Sequence, residues 1–241
     1  MKIFLTAVVT SILFFLCLTI SAQEGREAGK ILLKGMGGKE KWDSTNYILF
    51  TANGNDAKYF QNSRKFLIKP KSGEARFEGQ SNDGNNIVTL FNFKTGKLSK
   101  FFINGNEVKQ DDGATNELFT KLNEQFKKDI TFLFLPALIE QPDTKTGKIT
   151  SKIFNAEKLQ SLPFQLKGGI SGEVLFNGET GWIKQFIDKE GNTYIVNGYK
   201  DIGDGLFLPT TFRNLENQEK SLLFSTVAAF TEMEESRFST L

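Results

Sequence analysis

Carboxylates are what this 241-residue chain offers for acid–base chemistry, with 28 Asp and Glu against no histidine and a single cysteine, Cys17. Ser-His-Asp and Cys-His catalysis are therefore excluded, and so are zinc sites of the usual Cys/His kinds. The sequence has no G-x-S-x-G elbow, P-loop or dinucleotide fingerprint. Gly35-Met36-Gly37-Gly38 looks superficially like a phosphate loop, but it follows a predicted helix instead of opening one, so it reads as a helix stop. Two acidic turns, Asp188/Glu190 and Asp201/Asp204, lack the alternating ligands and closing Glu of a calcium loop. Asp and Gly there are what hairpins need. Carboxylate pairs leave glycoside hydrolysis as the enzyme reading. Against it stands the shortage of stacking platforms: 4 Tyr and 2 Trp, of which Trp182 is the best sugar-stacking candidate and equally a core residue.

The composition points to binding more than to catalysis. Phe occurs 24 times, and unlike Tyr or Trp it has no polar handle for a half-wet surface. Such an excess fits a large dry interior or a cavity that accepts something greasy. The cavity-lining candidates are Phe50, Phe66, Phe77, Phe91, Phe93, Phe126, Phe132, Phe134 and Phe186. A solid core made of the same rings is the competing reading. With a net charge of +2 there is no nucleic-acid footprint, and no metal or cofactor is expected.

These rings must be positioned by sheet. The opening residues, 1–22, combine Lys2, an apolar run and small residues before Gln23, as a secretory signal peptide cleaved near Ala22 would. Cys17 follows Leu16, which a lipid-modification motif would not place there. Cleavage leaves roughly 220 residues without cysteine, enough for one domain, 23–241, held by its core alone. A helix is predicted from Arg26 to Met36, with Ala28, Ile31, Leu32 and Met36 at helical spacing, and Trp42 follows as a lid on the first core cluster. The period then becomes 2. Strands are predicted at Asn46–Ala52, Lys58–Gln61, Arg64–Pro70, Glu74–Gln80, Ile87–Phe93 and Leu98–Ile103, with Asn104-Gly105 as a hairpin turn.

Thr115–Ile139 interrupts this sheet. Leu118, Leu122, Phe126 and Ile130 make an amphipathic stripe, with Lys121, Lys127 and Lys128 on the solvated side. Phe132–Leu135, ending at Pro136, reads as a short strand or buried turn. Sheet resumes at Lys148–Phe154, Phe164–Gly168, Ile170–Phe176, Gly181–Asp188, Thr193–Tyr199, Leu206–Arg213 and Ser221–Thr231. The short loops call for antiparallel pairing, and a sheet this long must curl, split or close.

Five local patterns, in order along the chain, resemble the bacterial LolA-like group of periplasmic carriers and lipoprotein-sorting proteins with their uncharacterised relatives. They are AGKILLKGMGGKEKW, FLFLPALIEQP, GWIKQFIDKEGNTYIV, GYKDIGDGLFLPTTF and the terminal SRFSTL. The resemblance implies a mainly β (α+β) fold, a strongly curved antiparallel sheet forming an unclosed half-barrel. An N-terminal and a central helix would cover its concave face over a hydrophobic cavity. It also implies a functional arginine early in the sheet, for which Arg64 and Arg76 are the candidates.

The expectation is an exported, non-enzymatic, monomeric protein of the periplasm or envelope that holds a lipid, or the acyl chain of a lipoprotein, in an apolar cavity. A solid-core envelope module docking another protein is the alternative, and a carboxylate-dependent hydrolase the third reading.

Overall fold

The computed structural model of the chain describes residues 24–240 apart from 55, 56, 58, 62, 110, 111 and 169. The signal-peptide expectation for 1–22 lies outside the described residues. The helices are α1 (24–35), α2 (Lys39–Ser44), α3 (Gly113–Leu133) and α4 (Leu135–Glu140). The strands before α3 are β1 (Tyr47–Gly54), β2 (Arg64–Ile68), β3 (Glu74–Gln80), β4 (Asn86–Asn92), β5 (Lys97–Ile103) and β6 (Asn106–Val108). After α4 come β7 (Lys145–Thr146), β8 (Thr150–Phe154), β9 (Glu157–Gln165), β10 (Ser171–Phe176) and β11 (Ile183–Asp188). The last are β12 (Thr193–Asn197), β13 (Lys200–Asp201), β14 (Phe207–Leu208), β15 (Thr211–Asn214) and β16 (Leu222–Phe230).

Two compact units divide the chain. Among the described residues the smaller comprises 24–36 with Pro136–Thr193, the larger 37–135 with 194–240.

In the larger unit the hydrogen-bonded strand order is β6-β5-β4-β3-β2-β1-β16-β15-β12, antiparallel throughout. Its two end strands do not pair, so the sheet is not closed into a barrel. The period-2 pattern sends Ile48, Phe50 and Ala52 of β1, Phe66 and Ile68 of β2, and Ala75 and Phe77 of β3 to one buried face. Helix α3 lies on that face. Its Phe126 ring is 6.3 Å from Phe50, 4.9 Å from Phe66 and 5.3 Å from Phe91, which lie on β1, β2 and β4. Strands three places apart in a flat sheet are separated by about 14 Å, so one ring reaches all of these only because the sheet curls around it. Asp112 caps α3, its carboxylate accepting from the Thr115 N–H at 3.0 Å.

The smaller unit has the order β11-β10-β9-β7, with β8 also on β9. There α1 packs through its glycines. A Cβ on Gly35 would sit 2.6 Å from the Thr180 carbonyl oxygen, and one on Gly29 would sit 3.1 Å from the Cα of Glu140. Ala28, Leu32, Leu33 and Met36 are buried, and Gly37 and Gly38, at φ 107° and 94°, end the helix as expected.

Several expectations are corrected. Phe132–Leu135 is not a strand, and its turn is the single buried residue Phe134: α3 runs through Leu133 and α4 restarts at Leu135. Pro136 falls in the first turn of α4, where its missing N–H would have had no partner in the helix. Of the expected strand at 58–61, Phe60 makes only an isolated bridge to Ser81, its ring filling a gap beside Phe77 at 5.3 Å. The expected strand Leu206–Arg213 is split into β14 and β15 around Pro209, which cannot donate to a ladder. Conversely β9 begins at Glu157, well before Phe164, and carries Pro163 within it. The Asn104-Gly105 turn joins β5 to β6 with both residues at positive φ, as its hairpin signature requires. Among the described residues no helix is long and apolar enough to cross a membrane.

Candidate functional site

The two faces of the larger unit's sheet differ in what closes them. On the face under α3 the rings form one connected layer. Phe50 stacks on Phe66 at 5.1 Å, Phe66 meets Phe77 at 5.1 Å, and Phe93 lies 5.3 Å from Phe126. From Phe50 the layer passes to Phe134 at 6.5 Å, on which Trp42 rests edge-on at 5.3 Å. It also passes through Phe224 and Phe212 to Phe132, which packs on Tyr194 at 5.1 Å. Eight of the nine candidate Phe residues are thus gathered in the larger unit. Phe186 belongs to the smaller unit, where it packs against Phe164 at 5.9 Å.

Into this ring layer the fold inserts an ion pair. Arg64, at the start of β2, donates through Nε to Asp129 Oδ2 at 2.9 Å and through Nη2 to Oδ1 at 3.1 Å. Nη2 also donates to the Gly54 carbonyl at 2.9 Å, while Gln125 Nε2 donates to Asp129 Oδ1 at 3.0 Å. Both charged side chains are 0% exposed. A planar guanidinium on a carboxylate in this two-pronged geometry fixes both distance and orientation between strand and helix. A second polar group in the layer is the Thr89 hydroxyl, fully buried on β4 between Phe77 and Phe101 in register, with no hydrogen-bond partner.

The sequence offered Arg64 and Arg76 without separating them, and the structure separates them by face. Arg76 points the other way, its Nε donating to Glu78 at 2.6 Å. Asp129 was missed. The true buried stripe of α3 is Thr115, Phe119, Leu122, Phe126, Asp129 and Leu133, alternating steps of four and three, with Gln125 beside it. A carboxylate sitting in step on such a stripe was the available signal. Leu118 and Ile130, expected on the stripe, are only half-buried.

The opposite face carries Leu49, Leu67, Leu90 and Phe102, and the C-terminal segment crosses it. Glu235 accepts from the Tyr47 hydroxyl at 2.7 Å and from Lys69. Arg76 Nη1 donates to the carbonyls of Arg237 at 3.2 Å and Thr240 at 2.6 Å, and Lys100 donates to that of Ser239 at 3.1 Å. The hydrogen bond from Lys69, then that from Tyr47, holds the Glu235 carboxyl below its ordinary pKa. The same bond to Glu235, helped by desolvation, pushes the Tyr47 hydroxyl up.

The remaining chemistry candidates serve local structure. Asp188 accepts from the N–H groups of Glu190 and Asn192, and Asp201 from those of Gly203 and Gly205, as turn carboxylates do. Trp182 donates from its indole to the Gly35 carbonyl at 3.1 Å, inside the smaller unit. Lys121 pairs with Glu117 and lies 4.2 Å over the Tyr59 ring. Among the described residues no three metal-ligating side chains cluster.

No family model matches the chain, and the curated proteins give no match either. Among solved structures it is similar to a LolA superfamily protein from Nitrosomonas europaea, at 9% identity and a TM-score of 0.38, over 90% of this chain and 97% of that one. It is also similar to MucB, at 10% identity and a TM-score of 0.27, over 90% of this chain and 62% of that one.

Proposed function

We propose that the chain is an exported, non-enzymatic carrier of the periplasm or envelope that binds a lipid, or the acyl chain of a lipoprotein, on the ring-lined face beneath α3. The observation that carries this reading is the Arg64–Asp129 pair, fully buried in a layer otherwise built of aromatic rings. Replacing such a pair by well-packed apolar residues is often neutral or stabilising, so stability alone does not account for it. As a latch between β2 and α3 it gives one defined closed position and a discrete way to release it. The Phe candidates of the larger unit would meet the cargo when α3 lifts. Native mass spectrometry with lipid extraction, on protein purified without harsh detergent, tests the reading. Recovery of bound lipid supports it, and absence of lipid together with no uptake of a fluorescent fatty acid sinks it.

The second reading, a solid-core envelope module, draws on the close mutual packing of Phe50, Phe66, Phe77 and Phe126, each fully buried. It predicts capture of a defined protein partner by protein that carries no lipid.

A further inference from the structure

On the outer face of the same sheet, beneath the C-terminal segment, lies a cavity of about 250 Å³. Its floor is apolar, made by Leu49 of β1 and Leu67 of β2, with Met233 closing it from the C-terminal side. Its mouth is charged by Lys65, Arg76 and Arg237 against Glu78 and Glu234. The cations exceed the carboxylates by one. An apolar cavity of about 150 Å³ already takes benzene, so this space admits a short hydrocarbon chain.

We propose that this cavity is a binding site for a small apolar acid, its chain on Leu49 and Leu67 and its carboxylate among Lys65, Arg76 and Arg237, with Met233–Thr240 as the lid. Two observations carry the assignment. The first is charge complementarity: Lys65 pairs with Glu78 at 2.9 Å and Arg237 with Glu234 at 4.0 Å, but their side chains are 48% and 61% exposed, and pairs this exposed are weak enough for both cations to turn to an arriving anion. The second is how lightly the lid is held. Within it only Met233 and Phe238 are even half-buried, the other side chains lying in solvent. Its anchors are the polar contacts of Glu235, Arg76 and Lys100, with the Phe238 ring 6.1 Å from Tyr47. Contacts of this kind, exposed except for the part-buried bond from Tyr47, are individually weak. Such a lid lifts without disturbing the sheet.

This site is independent of the cargo face under α3, and the experiment separates the two. The whole chain, labelled with nitrogen-15, is titrated with octanoate and with octanol while amide resonances are followed. The expected result is saturable shifts at Leu49, Leu67 and Met233, with octanoate about fivefold tighter than octanol, the most that one exposed ion pair supplies. Leu67→Trp, which fills the cavity from the floor, should abolish the response. Should that variant misfold, Met233→Trp fills the same space from the lid. Shifts confined to residues around Phe126, equal binding of octanol and octanoate, or unchanged binding by a folded cavity-filling variant would overturn the proposal.

Discussion

Strands β1, β2 and β3 present Phe50, Phe66 and Phe77 to one side and Leu49, Leu67 and Arg76 to the other, and the chain covers both sides by different means. The inner cover, α3, contributes buried Phe119, Leu122, Phe126 and Leu133 and is pinned by two charges with no access to water. The outer cover is a short strap whose central carboxylate, Glu235, has a side chain 69% exposed. A charge pair in the dry layer cannot be loosened by halves, because removing one partner strands the other in a medium that does not solvate it. A pair in water has solvent as a ready substitute. The inner closure is therefore all-or-none and the outer one graded, although the same three strands support both.

The largest expected effect tests the first half of that contrast. Arg64→Met and Asp129→Leu should each lower stability by roughly 3–5 kcal/mol, while the double variant returns close to the parent. Urea unfolding of the four proteins measures it, and purely additive losses would show that the pair is not a coupled latch. Next, Phe126→Ala should cost about 3–5 kcal/mol because it opens a hole among four phenylalanine rings. Leu67→Ala should fall near the lower end of the aliphatic range, about 2 kcal/mol, because its site already borders a void. Equal losses would mean that the two faces are packed alike. Smaller still, Thr89→Val should raise stability by about 1 kcal/mol, since it removes a buried hydroxyl that has no partner. Destabilisation would reveal a polar contact in the ring layer.

Much of the inner face was legible beforehand because its cause is periodic. Alternation along Glu74–Gln80 placed Ala75 and Phe77 on one face, and the strand has those very bounds. The Asn104-Gly105 turn was legible because its backbone angles exclude most other residues. The Arg64–Asp129 pair was not, because its partners are 65 residues apart and no local pattern links a strand's first residue to a helix position. The α3 stripe was read correctly at Leu122 and Phe126 but one step off at its ends, Leu118 for Phe119 and Ile130 for Asp129, because a purely apolar template passes over a carboxylate that is neutralised by a distant strand. Phe132–Leu135 misled for the opposite reason: Pro136 reads as a stop, yet a proline in the first turn of a new helix stops nothing. The packing of the outer strap was not legible, since Glu235, Arg237 and Thr240 are held by long-range contacts and bury little.

The smallest expected effect concerns that strap and depends on pH. Because the Glu235 carboxyl is held below its ordinary value, its contribution is fully present above that ordinary value and is lost as pH falls through the depressed one. The Tyr47 hydroxyl is raised, so its contribution holds below about 10 and fades as pH climbs through the higher folded value. Lys69 acts in the same sense as Tyr47: burial pulls it down, but its bonds to Glu235 and Glu74 prevail and raise it. The strap should thus be seated across the neutral range and loosen at both extremes. The ring resonances of Phe238, which lies against Tyr47 and under the Lys69 ammonium at 4.5 Å, report its position. On acidification they should move toward free-chain values with a midpoint below that of an ordinary glutamate, while those of Phe126 stay fixed until the whole unit unfolds. Glu235→Gln should remove the acid transition and leave the Phe126 signals untouched. If Phe126 and Phe238 shifted together, the two covers would be one cooperative structure, and the distinction between a dry latch and a wet one would fail.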